Sequence, residues 1–217
     1  MERIGRACAD AGRQPDEVKL VVVTKTWPVE DIRRLAALGV TDVGENRDQE
    51  AAAKHAQTSS VGLRWHFIGQ LQTNKARSVA GYADVVESVD RPSLVRALDS
   101  AAGARGRRLD VLVQIDLSGR AEGRGGVLPQ EAEALAEQVF ASSSLDLCGV
   151  MGVAPLDGDP RAAFDLLARV HDQVLRMAPA ATVRSAGMSE DLVEAVAAGA
   201  THVRVGRGVL GSRPLLG

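Results

Sequence analysis

The chain has 217 residues, of which 25% are charged and 45% hydrophobic, a balance that excludes wholesale disorder and a fibrous repeat. Its net charge of -2 gives no basic field, so nucleic acid is not an expected partner. No run approaches the roughly 18 apolar residues of a membrane span, and Met1 to Arg6 lack the apolar core of a secretory signal, so the chain is expected in the cytoplasm and off the membrane.

Taken in order, Met1 to Gly12 place Ile4, Ala7, Cys8 and Ala11 at helical spacing, a helix expected to close the bottom of the fold. Valine-rich runs then alternate with helical patterns. Strands are expected near 20–24, 41–44, 65–69, 83–89, 110–117, 147–153, 183–186 and 202–205. Between them, helices are expected from 29 onward and over 49–56, 74–79, 93–102, 130–140, 162–177 and 190–198, with none after the last strand. Eight strands separated by helices define the fold class: an α/β chain forming a single (β/α)8 TIM-type barrel with an extra N-terminal helix, one domain over 1–217. A doubly wound open sheet is the alternative.

In such a barrel the active site lies at the C-terminal strand ends, so the polar residues that follow each run are the candidates. Lys25 is one of only four lysines in a chain that otherwise uses arginine. It has the strand parity of Val21 and Val23, which aims it into the mouth, where a lysine amine attacks carbonyls to form Schiff bases. The plain alternative is a solvated lysine closing a strand. Ser185-Ala186-Gly187-Met188-Ser189 turns from strand into helix with Ser189 at the expected N-cap, and Gly206-Arg207-Gly208 follows the last strand. Phosphate sites recur after strands seven and eight of barrels. Equally, these glycines make turns and Ser189 merely caps a helix. Arg204 alternates with Val203 and Val205 and so points inward, where a buried arginine needs a partner: a cofactor ring nitrogen, a carboxylate, or a structural acid across the barrel.

His66, between Trp65 and Phe67, reads first as a satisfied core histidine, and Asn46 as a ligand to a hydroxyl or the start of a helix. The loop Gly123 to Gly126 after Ser118-Gly119-Arg120 lacks the context of a phosphate fingerprint. His55, His171 and His202 show no metal-ligand spacing, and Cys8 and Cys148 form no C-x-x-C, so no metal site is expected.

Thr24-Lys25-Thr26, Gly44-Glu45-Asn46 with Gln49-Glu50, Trp65 to Gly69 running into Leu71 to Lys75, Ser185 to Ser189, and Val203 to Gly206 together resemble the pyridoxal phosphate homeostasis protein family, single-domain relatives of the barrel of alanine racemase. The resemblance runs from about Val18 onward. It implies pyridoxal 5'-phosphate (PLP) as cofactor, with Lys25 as the Schiff-base lysine. It further implies a phosphate held around Ser189, Gly206 and Arg207 within Ser185, Gly187 and Met188, and Arg204 facing the pyridine nitrogen. Asn46, His66 and Met151 fall near the cofactor. Arg207 departs from the small residue usual there, and the N-terminal helix is short for the family. Alanine racemases add a tyrosine base from a second domain, and Tyr82, before the fourth strand, is a poor substitute. The expected function is therefore a monomeric carrier that holds PLP, takes part in its homeostasis and passes it to apo-enzymes, with no catalytic residue. A weak racemase-like enzyme and a Schiff-base aldolase are the alternatives.

Overall fold

Residues 1–118 and 125–211 are described by the structure, a computed structural model. The strands are β1 (Lys19–Val23), β2 (Asp42–Glu45), β3 (Arg64–Phe67), β4 (Val85–Val89), β5 (Leu109–Ile115), β6 (Leu145–Gly152), β7 (Val183–Ser185) and β8 (His202–Val205). Each pairs in parallel with the next and β8 pairs with β1, closing an eight-stranded barrel. All eight expected strands are present, their ends displaced by at most two residues.

Around the barrel lie α1 (Glu2–Asp10), α2 (Val29–Ala37), α3 (Asp48–Thr58), α4 (Ala76–Val79), α5 (Pro92–Gly103), α6 (Ala132–Phe140), α7 (Pro160–Met177), α8 (Leu192–Ala197) and α9 (Arg207–Leu210). Their apolar stripes cover the outward faces of the strands. Ile32 of α2, for example, packs with Val43 and Trp65 in one buried cluster. The run Leu20 to Val23 of β1 is apolar on both faces because helices cover one and the barrel interior takes the other.

Three expectations are corrected. The N-terminal helix does not close the barrel bottom: Ile4, Ala7 and Cys8 pack against Leu192, Val196, Val203 and Val205, on the outer flank of β8 and α8. The last strand is followed by a helix after all, because Arg207 turns straight into α9. Ser189 is not an N-cap; α8 starts later with Asp191 as its N-cap residue, and the Asp191 carboxylate accepts the Met188 amide at 2.6 Å. The sequence loop at 119–124 lies outside the described residues, although Gln114 donates to the carbonyl of Gly125 just beyond it at 2.6 Å.

Candidate functional site

The C-terminal mouth of the barrel holds a cavity of about 710 Å3, the size of a small-ligand site. It is lined by Val23 and Lys25 at the end of β1, by Met188 and Ser189 after β7, by Arg204, Gly206 and Arg207 at the end of β8, and by Trp27, Pro155 and Leu156. Lys25, Met188, Ser189, Arg204, Gly206 and Arg207 are thus brought together around one cavity.

Lys25 leaves the end of β1 in a tight turn, and Thr26 beside it has φ 68°, alone among the described non-glycine residues in the left-handed region. A β-branched residue there is strained, and such strain persists only where surrounding bonds fix it. Here Glu50 of α3 accepts the Thr26 amide, while buried Lys54 donates to the carbonyl of Thr24 at 2.8 Å.

In the turns after β7 and β8, the amides of Ser189, Glu190 and Arg207 make no hydrogen bond within the described residues, which leaves free N–H donors on residues that line the cavity. Ser189 Oγ accepts the Gly208 amide at 3.3 Å, tying the two strand-end turns together. The Arg207 side chain turns instead along the surface to Glu190, 3.1 Å away, with both groups more than 70% exposed. Gly187 has φ 90°, and its carbonyl accepts the Arg204 amide at 2.9 Å, a backbone role below the mouth.

Arg204 is 3% exposed. It donates to Ser185 Oγ at 2.6 Å and to the Gly152 carbonyl at 2.8 Å, with Glu87 Oε2 3.6 Å away. The structural acid across the barrel is therefore present, and an arginine side chain still retains three N–H bonds beyond these two. Below it, Ser185 Oγ donates to Glu87 at 2.6 Å, and His66 lies between Glu87 at 2.7 Å and Asp42 at 2.9 Å. Arg204, Ser185, Glu87, His66 and Asp42 form one buried polar column down the barrel. Burial would raise the Glu87 carboxyl, but the hydrogen bond and charge of His66, together with Arg204 and Ser185, outweigh it and hold Glu87 at about 2. Asp42 is held at about 2 in the same way, burial being overcome by His66, Thr41 and Lys19. Burial pushes His66 down, yet its two carboxylate partners raise it overall, favouring the imidazolium. With His66 charged, the column sets two positive groups against two negative ones.

His66 is accordingly the satisfied core histidine, with neither ring nitrogen left for a ligand. Met151 sits 1% exposed in an interior layer with Val85 and Leu112, beneath the cavity. Asn46 lies off the cavity, its backbone packed so closely on Gly69 that a Cβ there would fall 2.2 Å from the Asn46 carbonyl. The sequence reading missed Glu87, Asp42 and Lys54. A glutamate inside the run Val85 to Val89 was a visible signal, because an acid there needs a buried partner.

Residues 6–214 match the family described as alanine racemase, N-terminal domain. Alanine racemase of Corynebacterium glutamicum shares the barrel at a TM-score of 0.74 and 16% identity, covering all of this chain and 61% of that one, a likeness of fold alone. Much nearer are the pyridoxal phosphate homeostasis proteins of Mycobacterium bovis, 44% identical over 98% of this chain and 90% of that protein, and of Pseudomonas aeruginosa, 37% identical over 97% and 91%. PipY of Synechococcus elongatus, solved with PLP bound, superposes at a TM-score of 0.83 with 34% identity, covering 96% of this chain and 100% of that one. The chain belongs to the alanine racemase N-terminal domain family and, within it, to the pyridoxal phosphate homeostasis proteins.

Proposed function

We propose that this protein holds PLP as a Schiff base on Lys25 and takes part in controlling the intracellular supply of that cofactor, without robust turnover. The observation that carries the reading is that one cavity is lined by Lys25, by the paired turns at Ser189 and Gly206, and by Arg204. An amine, a set of free amide donors and a fixed guanidinium fit an aldehyde, a phosphate and a pyridine ring. The name of the family's curated members and the PLP-bound PipY structure support the same group.

When bound, PLP supplies an electrophilic aldehyde and an electron-poor ring. The chain's residues supply the rest. Lys25 is the nucleophile that retains the aldehyde. The amides of Ser189, Glu190 and Arg207 and the Ser189 hydroxyl hold the phosphate, so the side chain of Arg207 is free to pair with Glu190 outside. Arg204 is charged at all working pH and gives up no proton, so it donates a hydrogen bond to the ring nitrogen and leaves the ring a weak electron sink. Asn46, His66, Met151, Ser185 and Gly187 serve the site from behind, through backbone packing and the column.

A racemase also needs a second proton donor facing the first. Tyr82 is buried in the helix-side core, its ring 6.0 Å from that of His55. It does not line the cavity. The reading is tested by loading the protein with PLP and mixing it with an apo-enzyme in the presence of a phosphatase that destroys free PLP. Activation of the apo-enzyme, with no D-alanine formed from L-alanine, is expected. Racemisation abolished by Lys25→Ala would make the protein an enzyme instead.

A further inference from the structure

Lys54 is buried, 7% exposed, and its three ammonium hydrogens match three acceptors: the Thr24 carbonyl at 2.8 Å, Glu45 Oε1 at 2.7 Å and Glu50 Oε1 at 2.6 Å. A lysine ammonium satisfies such a tripod, whereas the planar fork of an arginine would not. Glu45 also accepts the Thr24 hydroxyl at 2.7 Å, and Glu50 accepts the Thr26 amide. Both neighbours of Lys25 are therefore tied to one buried cation on α3. The tie falls on the turn that contains the strained Thr26, with φ 68°.

We propose that Lys54 is a positioning residue for the cofactor site: with Glu45 and Glu50 it fixes the Thr24-Lys25-Thr26 turn so that the Lys25 amine enters the cavity. The inference rests on the reading of Lys25 as the PLP anchor. Lys54 never reaches the ligand. Its loss lets Thr26 relax out of the left-handed region, and the Lys25 side chain leaves the cavity that it lines with Ser189 and Gly206. The phosphate donors stand in the turns that follow β7 and β8, make no hydrogen bond to Lys54, Glu45 or Glu50, and keep their geometry.

Two ligands separate these effects. PLP engages both the amine and the phosphate donors; pyridoxine 5'-phosphate, with an alcohol in place of the aldehyde, engages only the latter. In Lys54→Met, PLP affinity is expected to fall at least tenfold, along with the fraction trapped on Lys25 by borohydride, while pyridoxine 5'-phosphate binds within twofold of the wild type. Equal losses for the two ligands would assign Lys54 a merely structural role and overturn the inference, as would no change for either. If Lys54→Met does not fold, Glu50→Ala is read by the same criteria, since Glu50 is only partly buried. A wild-type chain that binds both ligands equally and traps none removes the Lys25 reading itself. That outcome differs from a wild type that discriminates and variants that match it.

Discussion

Arg204 shows what the residue scale decides. Its inward direction follows from alternation with Val203 and Val205, and the structure agrees; its partners do not follow, because Glu87 and Ser185 come from β4 and β7, distant in sequence. Removing one member of such a buried set leaves the others uncompensated, so Arg204→Met is expected to cost about 3 to 5 kcal/mol in urea unfolding. His66 offers a test by pH. Its folded pKa is raised, so its contribution is fully present below the ordinary value of about 6.5 and is lost as pH rises through the folded value. His202, whose ring centroid is 6.4 Å away, is pushed down to about 4, chiefly by burial, and opposes this slope only below 6.5. The stability lost in His66→Gln is therefore expected to be larger at pH 6 than at pH 9, by about 1.4 kcal/mol for each unit of the raised pKa. A difference independent of pH would contradict the charged imidazolium. The place of Lys25 at the barrel mouth was legible from strand parity. Lys54 was not, because Glu50 and Lys54 at i and i+4 read as an ordinary solvated pair, and only the fold shows that they are buried against Thr24.

At the scale of elements, register governs which residues reach the mouth. The pairing of β5 with β6 slips by one residue between Val111 and Leu112, opposite Leu147 and Gly149, so Cys148 is the bulged residue. Gly149 makes this possible: its φ is 150°, and a Cβ would lie 1.8 Å from the Val183 carbonyl on β7. Gly149→Ala is expected to destabilise by at least about 3 kcal/mol and to lower the melting temperature markedly. The strands themselves were legible because each is a short valine-rich run bounded by turn residues. Helix starts were less so: Ser189 looked like a cap, but Asp191 holds that place and takes the Met188 amide. The position of α1 was also hidden, since an apolar stripe states that a helix is covered and not by what.

For the whole molecule, alternation of strand and helix patterns specified the barrel, and the barrel specified which end carries the chemistry. The polar interior was not legible, because barrels are usually filled by apolar layers and this one instead carries a balanced column from Asp42 to Arg204. The site follows from that architecture: Arg204 caps the column, Lys25 enters from a turn fixed by α3, and two strand-end turns supply amide donors. The claim that unites these parts is that Lys25 anchors PLP. Borohydride reduction of the PLP-loaded protein followed by peptide mass mapping, with Lys25→Ala as control, tests it most directly. The account predicts a single pyridoxyl group on the peptide containing Lys25, absent from the variant; label on Lys19, Lys54 or Lys75, or equal labelling of the variant, would contradict it.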